Sequence, residues 1–145
     1  MKKIFLGLAI LFSSLLIINN LKAQSIEQSC QIIETEVKGG IYKNFAVNSN
    51  GYLTYNYVDD KGSETELTID LTKVSVIKDV SQQGYKVFIR CLDGVSCINE
   101  KGRLVEDENF YADFSKTYIP ANDEKGMNIV YQHLLFLLKF GNTNR

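Results

Sequence analysis

The sequence predicts an α+β fold: a curled antiparallel sheet of about six to seven strands, closed by a C-terminal helix and extended by an N-terminal one. Short runs of alternating apolar residues recur between Ile41 and Tyr118, separated by turn residues. The chain then closes on one long amphipathic segment, Ala121 to Phe140. No regular exchange of strand and helix appears, so nothing supports a parallel sheet.

Residues 1–23 have the parts of a secretory signal. Lys2 and Lys3 form a charged start, Ile4 to Ile18 an apolar core, and Asn19 to Ala23 a polar exit, with cleavage expected after Ala23. The apolar core is short for a retained membrane anchor, the weaker reading. Cys30 follows Glu27-Gln28-Ser29, unlike a lipid attachment sequence. Export to the periplasm or the medium is the expectation, and it makes disulfides permissible. Removing the signal takes Lys2, Lys3 and Lys22 with it and leaves 13 basic against 17 acidic residues. A net charge near −4 argues against nucleic acid or an anionic membrane as partner. Residues 24–145 suit one globular domain with one core.

Ser25 to Lys38 reads as a helix, with Ile26, Cys30, Ile33 and Val37 on one narrow apolar stripe and Gly39-Gly40 as its stop. Strands are expected at Ile41–Val47, Tyr52–Val58, Glu64–Leu71 and Lys73–Lys78, with turns at Asn48–Gly51 and Asp59–Gly62. In the third, Leu67, Ile69 and Leu71 point inward and Glu66, Thr68 and Asp70 outward. Tyr55 and Tyr57 lie on one face of the second strand and are the best candidates for ligand contacts. Core packing or ordinary sheet surface is the competing reading.

Tyr85 to Ile98, YKVFIRCLDGVSCI, is the strongest local pattern. Val87, Ile89 and Cys91 alternate with Lys86, Phe88, Arg90 and Leu92, and Asp93-Gly94 is a strong turn signal. A hairpin centred on Gly94 sets Cys91 opposite Cys97, at a separation that suits a disulfide. So short a bridge would stabilise by roughly 2 kcal/mol. Two free thiols or a metal pair are the alternatives, although Cys-x5-Cys lacks metal-ligand spacing. Cys30 could pair with either, bridge two chains, or be buried, and its helical stripe favours burial. A weaker strand over Arg103–Glu106 and a last extended segment over Phe110–Tyr118 follow.

The terminal helix starts near Pro120, with Asn122, Asp123 and Glu124 at its positive end. Met127, Val130, Tyr131, Leu134 and Leu138 share the face expected to cover the sheet. Ile129, Phe136 and Phe140 form a second strip beside His133, to be covered by the first helix or a loop, or else to dock another protein.

The succession LTIDLTKVSVIKDV, YKVFIRCLDGVSCI and IVYQHLLFLLKF is similar to small exported bacterial proteins of unknown function and resembles a PH-like barrel. That resemblance covers most of Tyr52 to Phe140, implies a fold only, and transfers no catalytic residue. The N-terminal helix is an addition to the barrel plan and leaves a cystatin-like roll as runner-up.

Reactive constellations are scarce. His133 is the single histidine and sits among apolar helix positions. Asp107, Asn109 and Asp113 lack the alternating oxygen ligands of a calcium loop. No catalytic, cofactor or metal residue is assigned. The expected function is a non-enzymatic binding or interaction module for a protein, or for an apolar or glycan ligand. The alternative is an envelope enzyme or enzyme inhibitor working through a cleft with carboxylates.

Overall fold

The structure, a computed structural model, describes residues 25–82, 84–103 and 109–143. The expected signal at 1–23, most of the weak strand at Arg103–Glu106, and Asp107 lie outside the described residues. Among the described residues there are two α-helices and eight strands, the strands forming two antiparallel sheets. Helix α1 covers 25–36. The strands are β1 (Tyr42–Val47), β2 (Tyr52–Val58), β3 (Glu64–Asp70), β4 (Val74–Ser81), β5 (Gly84–Cys91), β6 (Ile98–Arg103), β7 (Asn109–Phe114) and β8 (Lys116–Ala121), and helix α2 spans Glu124–Thr143. One sheet has the order β1-β2-β3-β6-β7 and the other β4-β5-β8. The described pairings join strands within each sheet, and no closed barrel results.

Turn chemistry sets the first meander. The Asn48 side-chain oxygen accepts from the amides of Asn50 and Tyr52, and Asp59 does the same for Lys61 and Ser63. Gly51 and Gly62 close these turns at φ 78° and 83°, where a side chain would be strained. β1 carries a bulge between Lys43 and Ala46, with Asn44 at φ 60°. The Phe45 amide donates to the Glu34 carboxylate of α1 at 3.3 Å, which ties the bulge to the helix.

The strongest sequence pattern forms a corner, not a hairpin. β5 pairs with β4 and β8, while β6 pairs with β3 and β7, so the two arms of YKVFIRCLDGVSCI belong to different sheets. A 3-10 turn at Leu92–Gly94 redirects the chain, with Asp93 at φ 61° and Gly94 at φ 67°. The left-handed turn that Asp-Gly favours is present, yet it changes sheet. Cys91 and Cys97 stand at disulfide distance across this corner, Cα to Cα 5.7 Å. The hairpin itself lies one connection earlier, where Ser81 pairs with Gly84.

Two further sheet crossings meet the same corner. Cys91 N–H donates to Ser115 C=O at 2.8 Å, between β7 and β8. Asp70 N–H donates to Cys97 C=O at 3.3 Å, where β3 passes to β4. The extended segment expected over Phe110–Tyr118 is therefore two strands, broken at Ser115 without a glycine or proline to announce it. Asp70, expected outward, is buried: its carboxylate accepts from the Thr72 amide and hydroxyl at 3.1 and 2.6 Å, and Lys73 lies 3.3 Å away.

α2 packs across β4, β5 and β8 and against the turn after β3. Met127, Val130, Leu134 and Leu137 are buried, and Tyr131 and Leu138 flank them half-buried. The helix begins four residues beyond Pro120, which lies in β8. Asp123 caps it, accepting from the Gly126 amide at 2.7 Å. α1 buries Ile26, Cys30 and Ile33 as expected, but stops at Glu36 because Val37 bridges to Ala121 of β8. A tertiary pairing overrides the local helical pattern there.

Candidate functional site

The pleat of the three-stranded sheet sorts its residues into two faces. Val74 and Val76, Val87 and Ile89, and Ile119 and Ala121 point to α2 and the core. Ile77, Phe88 and Tyr118 point the other way. The register puts Ile77 opposite Phe88 and Phe88 opposite Tyr118, so the three side chains form one row across all three strands. Ile77 is 45% exposed and Tyr118 39%.

Cations flank that row. Arg90 pairs with Lys116 on one side, and Lys86 lies opposite Pro120 on the other. The Lys116 ammonium stands 4.0 Å from the centroid of the Phe88 ring, and Lys86 stands 4.7 Å from that of Tyr118. The two rings meet edge to face at 5.8 Å. Asp79, in register with Lys86, is the acidic residue of this face. Apolar surface with positive charge beside it can hold an anionic partner by contact and by field together.

The predicted tyrosines meet different fates. Tyr55 is fully buried, its ring stacked 4.8 Å from Phe45 and 5.9 Å from Tyr42. It belongs to the core and cannot serve as an exposed ligand contact. Its hydroxyl has no hydrogen bond of good geometry, though the Thr117 side chain lies close enough to favour its ionised form slightly. Burial dominates and holds the hydroxyl well above its ordinary pKa. Tyr57 is half-buried, 5.1 Å from Tyr42. Burial first, then the charges of Asp59 and Asp60 and the Tyr118 hydroxyl, raise its pKa. Tyr42 is raised as well, by burial first and then by the Tyr118 and Tyr57 hydroxyls.

A second feature lies between the helices. Open grooves of about 340 and 610 Å³ meet at Gln132 and His133, with Ile32 and Phe136 on one and Ile129 on the other. α1 thus covers the second strip only in part: Phe140 packs on the core, while Phe136 is 41% exposed. His133 Nδ1 lies 3.1 Å from the Ser29 hydroxyl, which itself donates to Ser25 C=O at 2.8 Å. The hydroxyl has one proton to share between the Ser25 carbonyl and the ring, so which partner donates to the other depends on the imidazole tautomer. Among the described residues, no three His, Cys, Asp or Glu side chains gather to hold a metal.

Comparison with protein-family models, curated proteins and solved structures gives no match for this chain.

The row could be half-read from the sequence. Lys86-Val87-Phe88-Ile89-Arg90 shows a cation, an aromatic ring and a cation on one face of a strand. What the sequence lacked was register. Tyr118 lies thirty residues from Phe88, and nothing local says that the two strands are neighbours.

Proposed function

We propose that this chain is an exported, non-enzymatic binding domain whose working surface is the outer face of the three-stranded sheet. One observation carries the reading: Ile77, Phe88 and Tyr118 align across three strands with their outer surface open and cations beside them. Single exposed apolar residues are ordinary, but an aligned row with aromatic members resembles the centre of an interaction surface. Export is supported by the signal pattern of residues 1–23 and by the cysteine pair at the sheet corner. No helix among the described residues is long and apolar enough to cross a membrane. A PH-like plan goes with the proposal, supported by the antiparallel sheets and the helix lying across the smaller one.

Site-specific photocrosslinking in intact cells tests the surface. A crosslinker replacing Tyr118 should capture a partner. One replacing Tyr111, more exposed but on the other sheet, should not. Equal capture at both positions, or capture at 111 alone, contradicts the assignment.

A further inference from the structure

Beyond its outer face, the smaller sheet has an edge open to a further strand, and we infer that a second copy of this chain pairs there, β4 to β4 across a two-fold axis. Among the described residues, β4 has a hydrogen-bonded neighbour on one side only, β5. It is eight residues long and keeps unbroken register with β5 from Val74 to Ser81. Of the other edges, β1 is bent by its bulge, β8 is bridged by Val37, and β7 is shorter, at six residues. The direction of the β4 amides follows from one bond. Cys91 N–H donates to Ser115 C=O, so Cys91 and every second residue before it face β8, while Arg90, Phe88 and Lys86 face β4 through their backbone. Their opposite numbers Ser75, Ile77 and Asp79 turn their backbone groups to β5. Those of Val74, Val76, Lys78 and Val80 therefore point outward, as a template for pairing. Val80 is 62% exposed.

A second copy fits because the strand is complementary to itself. A two-fold axis perpendicular to the sheet keeps each face on its own side, so the pairing is centred on a residue. Centring on Ile77 pairs 74–80 with itself: Ile77 meets Ile77, Val74 meets Val80, Ser75 meets Asp79, and Val76 meets Lys78. Centring on Lys78 gives equal overlap but sets two ammonium groups opposite each other. Other centres pair a shorter span. α2 supplies the rest of the seam. The Lys78 ammonium donates to the Asn128 side chain at 2.8 Å and lies 5.3 Å from the Tyr131 ring centroid, so that flank of α2 borders β4. Leu135 and Leu138 lie one and two turns further along the same flank, and all three apolar residues are half-buried in a single copy. The axis sets two such flanks facing each other under a sheet continuous through both copies. About seven residues of 3.3 Å make a seam about 23 Å long and about 20 Å deep through both layers, roughly 500 Å² from each copy. A stable interface takes about 800 Å² from each side, so the dimer forms at high concentration and dissociates on dilution. It also doubles the outer row, whether or not that row binds a partner.

Sedimentation velocity of the whole chain between about 1 and 500 µM tests the pairing. A reversible monomer–dimer equilibrium is expected, and it should persist after Tyr118→Ser, which alters the outer row away from the edge. Val80→Pro removes an outward N–H without touching a bond to β5, and should leave a monomer that still melts cooperatively. Val80→Lys, which adds a charge to the seam, should do the same and stands in if the proline variant does not fold. With Cys30 buried and Cys91 paired to Cys97, a thiol introduced at 77 or 78 is the reactive one. On oxidation, Ile77→Cys should form an inter-chain disulfide at the axis, and Lys78→Cys should not. The inference is overturned if the chain stays monomeric throughout or if a dimer ignores both Val80 variants. It is also overturned if the dimer is lost in Tyr118→Ser, or if Lys78→Cys crosslinks in preference to Ile77→Cys. A chain that stays monomeric but still captures a partner at Tyr118 loses the pairing and keeps the binding surface.

Discussion

A methyl group added at Gly141 would stand 2.8 Å from the Leu71 side chain, with Gly51 backbone on the other side. Neither neighbour is the loose end of a flexible chain, so Gly141→Ala should overpack this contact and cost about 1–3 kcal/mol, read as a lower urea midpoint. Asp70 makes a different kind of contribution. Burial alone would raise its carboxyl, but the Thr72 hydroxyl and amide and the Lys73 ammonium outweigh that and hold its pKa below the ordinary value. A depressed folded pKa stabilises above the unfolded value, about pH 4, and the benefit is lost as pH falls through the folded value. Asp70→Asn should therefore cost about 1 kcal/mol near neutrality, and the two proteins should converge in acid when urea midpoints are followed against pH. Cys30 lies at the other extreme: burial first, then Glu27 and Glu34, push its thiol up to about 11. Native protein should resist thiol labelling, unfolded unreduced protein should label at Cys30 alone, and reduction should add Cys91 and Cys97.

Among the elements, α2 was legible in the sequence because its pattern is long and periodic: Met127, Val130 and Leu134 fall on the buried stripe as expected. Leu134→Asp should abolish cooperative melting, and Leu137→Ala should cost about 2–5 kcal/mol. β2 was legible too, since NSNG and DDKG bracket it on both sides. The turn at Asp93-Gly94 was located but its destination was not, because left-handed residues serve a hairpin and a sheet-to-sheet corner equally well. The same blindness explains Tyr55. Alternation places Tyr55 and Tyr57 on one face, but only the bulge at Asn44 and the arrival of Phe45 show that this face is enclosed. Reducing the Cys91–Cys97 pair should lower stability by roughly 2 kcal/mol, as for any loop so short. The loss should fall on both sheets together, since the β3–β4, β5–β6 and β7–β8 crossings all meet that corner.

At the scale of the whole molecule, the two sheets share their corner, and α2 fills the inner side of the smaller one. That leaves the smaller sheet with one covered face and one open face, and the open face carries the aligned row. A row that belonged to the fold would contribute to stability when buried, whereas one that serves a partner is dispensable to the monomer. The direct measurement follows from that difference. In the Ile77→Ser, Tyr118→Ser double variant, the melting temperature and the crosslinking of a partner from a probe beside the row should be read on the same protein. A cooperative melt lowered by no more than a few degrees, the cost of losing the Tyr118 ring contacts, together with lost crosslinking is the expected result. A collapsed melt, or an intact melt with crosslinking retained, would show that the row is not the binding surface.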